Sequence, residues 1–175
     1  MILNIFTLPI PTASVTRGHA ISGGMVIALV TNFRVAVEGR TLYGLNEIKL
    51  GVTVPYLAEL ALWNTVSRPN ARDLLYGGEF IEAAQAHQIG LVDHVCPREN
   101  CEKLALKKIA HLTDQPASAF ASIKADRIEQ TLKTYEENHH RKHKQFLELW
   151  FSPGGQVRVK EAAQIFNRKS ASSQV

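Results

Sequence analysis

Cysteine is scarce in this sequence: two residues of 175, Cys96 and Cys101. Their separation matches neither a Cys-x-x-Cys redox pair nor half of a usual zinc site, so a disulfide-stapled fold and a zinc module are both excluded, and two free thiols in a reducing compartment are expected. Long apolar runs are missing as well. The longest, Met25 to Val30, is far short of the ~20 residues that cross a bilayer, and MILNIFTLPIPTAS has no basic segment leading into a long apolar core. These absences predict a soluble, intracellular protein; the cytoplasm is the expected compartment, with the mitochondrial matrix or the peroxisome as alternatives in a eukaryotic cell. There is no internal repeat, no low-complexity tract and no His-Glu-x-x-His pattern. His139 and His143 stand four apart in HHRKHK, but nothing completes a metal site around them, so no metal is expected and a solvated basic helix face is the reading.

An excess of one charge is almost lacking too. Lysine and arginine number 20 against 16 acidic residues, a formal charge of +4. Phosphate-bearing ligands, nucleic acid and plain solubility all fit so mild an excess. Aromatic residues around the basic run are few, Tyr135 and Phe146, so single-stranded nucleic acid is the weaker expectation. What is present is apolar: 45% of the chain is hydrophobic, enough at this length for one core and one domain.

Along the chain, TASVTR follows Pro9 and Pro11 and is rich in β-branched residues, which predicts a strand over 12–17 entered from a proline-stiffened lead. A short buried helix over 23–30, a strand over 33–38 and a short strand with a loop bearing Glu47 are expected next. Helical spacing begins after Pro55, and Pro69 opens a further helix that ends at paired glycines. IEAAQAHQIG reads as a helix closed by Gly90, and LVDHV as a strand ended by Pro97. Helices are expected over 99–112, 117–132, 133–151 and 157–168, with a break at SPGG and a frayed SASSQV terminus. Strands with short helices first, then helices alone, give an α/β class with an appended helical region. The expected division is an α/β core over 1–115 and a helical C-terminal region over 116–175 that serves oligomerisation.

RGHAISGGMVIA poses the sharpest question: Gly23 and Gly24 are poor helix formers placed where a buried helix begins. Glycines there serve either close packing or the close approach of something else to the backbone. That turn, the GLNEIKLG segment, and GGEFIEAAQAHQIGLVDHVCP occur in an order and spacing that resemble the enoyl-CoA hydratase/isomerase, or crotonase, superfamily. Three ordered elements over more than half of the chain make the resemblance specific.

The resemblance implies a spiral of ββα units, assembled into trimers or paired trimers, that binds acyl-CoA thioesters without a further cofactor and stabilises a thioester enolate. It implies that the Gly23 N–H is one of two donors to the enolate oxygen, where the free donors and positive end of a helix dipole also act. Ser22, Gly24 and Val26 would line the substrate, and His19 of the same turn would serve the structure. Glu47 matches a glutamate used as a catalytic acid/base; beside an apolar acyl chain it would be desolvated and its pKa raised. Phe166, Arg168 and Lys169 match positions of the family's last helix that pack near the CoA nucleotide. Trp63 and Trp150 read as core or interface residues.

Departures from the family pattern narrow the chemistry. Hydratases carry a second glutamate at the position of Val26, and valine cannot activate water. One base facing an apolar wall leaves proton transfer between carbons, and GLNE together with GVTVPYLAEL resembles the Δ3,Δ2-enoyl-CoA isomerase branch. The implied activity is conversion of 3-enoyl-CoA to trans-2-enoyl-CoA in fatty acid β-oxidation. The second oxyanion donor and much of the CoA-binding loop lie, in the family, upstream of the strand entered near Thr12, so the first part of a usual member is expected to be missing. The alternative is a non-catalytic crotonase-like protein that binds acyl-CoA, RNA or a partner subunit.

Overall fold

The computed structural model describes the backbone of residues 1–172 and the side chains of residues 1–164. Helix α1 (Ile2–Thr7) precedes β1 (Ala13–Thr16), β2 (Ala20–Ile21) and α2 (Gly23–Leu29). A second turn of the spiral follows: β3 (Phe33–Val37), β4 (Leu42–Gly44), a 3-10 helix (Glu47–Leu50) and α3 (Tyr56–Trp63). Then come α4 (Arg68–Gly77), β5 (Ile81–Glu82), α5 (Ala83–Gln88), β6 (His94–Cys96), α6 (Arg98–Thr113), α7 (Ala117–Trp150) and α8 (Pro153–Ser172).

Each ββα turn contributes one strand to each of two small sheets. β1, β3 and β6 form a parallel sheet in which Val15 pairs with Val35 and Ala36 with Val95. β2 and β4 pair in parallel, Ile21 with Gly44, and β5 closes that sheet antiparallel to β4. The β3 residues Val35, Ala36 and Val37 are buried in succession, as a parallel strand covered on both faces requires. Between the layers lies one large apolar cluster built on Met25, Leu29, Tyr43, Leu45, Leu57 and Leu62. Truncating any of the leucines to alanine would remove about 2–5 kcal/mol.

Local signals explain most boundaries. Ser67 caps α4 by accepting from the Asn70 N–H at 3.4 Å, and Gly78 ends it at φ 59°. Several expectations are corrected. The N-terminal lead contains α1, whose Ile2 and Phe6 pack against the main cluster. The helices expected over 117–132 and 133–151 are one helix of 34 residues, α7, because no proline or glycine interrupts the sequence between Pro116 and Pro153. The break expected at SPGG is confined to Phe151 and Ser152, and the last helix, expected from 157, opens already at Pro153 with Gly154 and Gly155 inside it. In LVDHV only the last part is strand, since Leu91 to Asp93 turn back on α5 and β3. Of SASSQV, residues 173–175 lie outside the described residues.

Cys96 and Cys101 bracket the turn from β6 into α6 with Cα atoms 5.7 Å apart and their sulfurs side by side, a proximity that strand-to-helix geometry creates and their spacing alone did not signal. Among the described residues no helix is long and apolar enough to cross a membrane.

Candidate active site

The turn that raised the question about glycine lies between β2 and α2. Ser22 is the N-cap of α2, with φ 47° and ψ −115°. Its N–H donates to the Gly44 carbonyl at 3.0 Å, continuing the β2–β4 pairing, and its carbonyl accepts from the Val26 N–H at 2.8 Å. Gly23 and Gly24 follow at the exposed start of the helix, while Met25 and Val26 turn into the core.

A Cβ added at Gly23 would meet nothing within 4 Å, and one at Gly24 would meet only the His19 carbonyl, at 3.9 Å. Gly44 differs: a Cβ there would lie 2.7 Å from the Glu79 carbonyl and 2.9 Å from Phe80. Packing within the chain therefore requires glycine at 44 and does not require it at 23.

Glu47 reaches this turn from the other ββα unit. It begins the 3-10 helix, which Gly51 ends at φ 75°, and its carbonyl accepts from the Val52 N–H at 3.0 Å. The residue is only 3% exposed. Ser22 Oγ donates to Glu47 Oε1 at 2.7 Å, while Glu47 Oε2 is buried with no hydrogen-bond partner among the described residues. Burial raises the carboxyl pKa, and the bond from Ser22 pulls the other way. The site thus pairs a carboxyl inclined to hold a proton with a free buried oxygen that can receive one.

The remaining expected residues are placed as follows. Val26 is buried at 6% exposure one turn into α2. His19 Nδ1 accepts from the Leu42 N–H at 3.0 Å, a link between the two ββα units. Phe166, Arg168 and Lys169 fall on the backbone of α8, but their side chains lie outside the described residues. The first half of α8 does meet the Glu47 turn: Arg158 donates to the Lys49 carbonyl at 3.4 Å. Nothing local in the sequence signals that contact across more than a hundred residues.

Cavities of about 210, 430 and 270 Å³ open elsewhere, and Ser22, Gly23 and Glu47 line none of them. The first is at the far end of α2, among Asn32, Arg34, Lys124 and Arg127. The third adjoins the histidine-rich part of α7, where Tyr56 joins the ladder of Tyr135 and His139 at ring separations of 6.2 and 5.2 Å. That part of α7 is more aromatic than its sequence suggests, because Tyr56 comes from α3. Trp63 packs at the edge of the core and Trp150 stacks on Phe146 at 5.8 Å.

The sequence model of the family described as enoyl-CoA hydratase/isomerase matches residues 1–172. The chain belongs to that family. It is 36% identical over 104 residues to an enoyl-CoA isomerase/hydratase of Mycosarcoma maydis, covering 59% of this chain and 38% of that protein. It is 32% identical over 124 residues to the mitochondrial enoyl-CoA delta isomerase 1 of Homo sapiens, covering 70% of this chain and 41% of that protein. Among solved structures, an enoyl-CoA hydratase from Mycobacterium avium subsp. paratuberculosis K-10 superposes with a TM-score of 0.82 at 29% identity, over 93% of this chain and 67% of that one. An enoyl-CoA hydratase/isomerase from Pseudoalteromonas atlantica T6c gives a TM-score of 0.83 at 19% identity, over 95% and 66%. The fold is therefore the crotonase fold in part, two ββα turns and more, followed by C-terminal helices. The chain spans 38% and 41% of the length of the two curated relatives named.

Proposed function

We propose that this chain carries the base-bearing part of an enoyl-CoA isomerase. The observation that carries the reading is Glu47: buried, raised in pKa, held through Oε1 by Ser22, and with Oε2 free. In the proposed reaction Glu47 removes a proton from C2 of a 3-enoyl-CoA, and the electron pair of that bond spreads into the thioester as an enolate. The Gly23 N–H, at the start of α2, donates to the enolate oxygen. Glu47 then returns the proton to C4, so the double bond moves from C3–C4 to C2–C3 and nothing is gained or lost. Val26 provides an apolar wall where a second carboxylate would be needed to activate water. The named resemblance to an enoyl-CoA delta isomerase supports this branch, while other relatives are named as hydratases.

Coenzyme A thioesters are the proposed substrates, with no other cofactor, and α7 and α8 the proposed surface of a homotrimer or hexamer. The test is turnover of 3-enoyl-CoA to trans-2-enoyl-CoA, with 3-hydroxyacyl-CoA followed as the hydration product. Isomerisation without appreciable hydration is expected, and Glu47→Gln lowers it roughly 10²–10⁴-fold. Rapid hydration, or near-normal turnover in the variant, overturns the reading.

A further inference from the structure

Among the described residues Ser22 is the one non-glycine with a positive φ, 47°. Such a backbone is disfavoured for a residue with a side chain, and persists only where its surroundings hold it. Glycine adopts it freely. The bonds to Gly44 and Val26 explain how the strain is held. They do not explain why the position bears a side chain.

The hydroxyl explains it. Ser22 Oγ is the side-chain group bonded to the Glu47 carboxyl, and the residue's own backbone amide also favours the charged form. The charged groups on the same turn and on the helices packed against it are engaged elsewhere: Lys49 pairs with Glu79 at 2.7 Å. From α8, Arg158 meets the Lys49 carbonyl, and on α4 Arg72 pairs with Asp73 at 2.8 Å. We infer that Ser22 is a positioning residue that engages Glu47 Oε1 and thereby assigns Oε2 as the atom that takes and returns the substrate proton.

The same residue aims the proposed donor. The Gly23 N–H belongs to the Ser22–Gly23 peptide, whose plane is set by Ser22 ψ, here −115°. A single strained residue thus orients the base through its side chain and the donor through its backbone. This inference rests on the isomerase reading, and its test is chosen to separate the two.

The experiment is a ¹³C-observed titration of the glutamate side chains in the 175-residue chain and in Ser22→Ala and Ser22→Gly. Loss of the hydroxyl removes the bond that favours the charged carboxylate, so the Glu47 midpoint moves upward in both variants. Ser22→Gly, freed of the strain, also melts higher than Ser22→Ala. An unchanged midpoint in both variants overturns the inference. In 3-enoyl-CoA turnover Ser22→Ala loses about tenfold in kcat, the equivalent of one hydrogen bond, with KM within about twofold. A loss confined to KM assigns Ser22 to substrate binding and also overturns it. Full turnover by Glu47→Gln overturns the isomerase reading alone and leaves the titration result standing.

Discussion

The two ends of α2 treat buried charge in opposite ways. Beyond its C-terminal end, Arg34 is fully engaged: Nε donates to the Leu91 carbonyl at 2.9 Å and Nη1 to the Thr31 carbonyl at 3.2 Å. Its Nη2 lies 3.1 Å from Asp93 Oδ2. Backbone bonds bind the same pair, Arg34 N–H to Asp93 Oδ2 at 2.7 Å and Asp93 N–H to the Arg34 carbonyl at 2.9 Å. Burial and the nearby Arg127 lower the guanidinium pKa and Asp93 raises it, burial being the largest effect. At the N-terminal end Glu47 has one bonded oxygen and one orphan, reached through a strained serine. A buried charge with every partner in place fixes a fold. A buried charge left half satisfied destabilises it, and is tolerated where a reaction needs the free atom.

The comparison is broken most severely at Gly23. An alanine there meets no neighbour within 4 Å and needs no positive φ, so Gly23→Ala should melt at or slightly above the parent temperature. If the adjacent N–H faces an enolate oxygen, the methyl stands where the thioester must sit, and turnover falls about 10²–10³-fold. Thermal unfolding and isomerisation measured on the same preparation decide it. Unimpaired turnover would remove Gly23 from the site.

At the opposite end the expected loss is in stability. Asp93→Ala leaves the Arg34 guanidinium buried beside Arg127 without its carboxylate, and removal of one partner from a buried pair costs about 3 kcal/mol. Asp93 is itself one-third exposed, at 32% of its side chain against 11% for Arg34, which places the effect at the lower end of that class. Urea denaturation reads it directly, while any activity per folded molecule should be retained. A loss below about 0.5 kcal/mol would mean that water replaces Asp93 and that the C-terminal end is less tightly satisfied than its bonds indicate.

These two ends were unequally legible in the sequence. Strands β1 and β3 follow from their β-branched and alternating runs and helix α2 from its apolar stretch, whereas LVDHV reads as strand throughout and is strand only from His94. Glu47 and Gly23 stand out through the family motifs. The bond between Ser22 and Glu47 does not, because it joins residues 25 apart that neither helical nor strand periodicity relates. The same holds for Arg34 with Asp93, and for α8 reaching the Glu47 turn. The continuity of α7 was legible in principle, since nothing in the sequence breaks it. The run HHRKHK lies within the second of the two helices expected, and nothing at 132–133 ends a helix whose hydrogen bonds are local.

The smallest expected effect sharpens the contrast through pH. Glu47 has a carboxyl pKa raised by burial above its ordinary value. The folded state therefore holds the proton more tightly than the unfolded chain, and binds more of it between the ordinary and the raised pKa. Stability contributed by the protonated form is complete below the ordinary glutamate range and is lost as pH rises through the folded-state value. Glu47→Gln removes that titration. At neutral pH the variant should be more stable than the parent by on the order of 1 kcal/mol, the scale of relieving one poorly satisfied buried group. The difference should vanish below pH ~4, where the parent carboxyl is already neutral in both states. Denaturant unfolding across the acidic and neutral range gives the two curves. Parallel curves would mean that the Glu47 carboxyl is satisfied at neutral pH, and the orphan Oε2 would then no longer distinguish this end of α2 from the other.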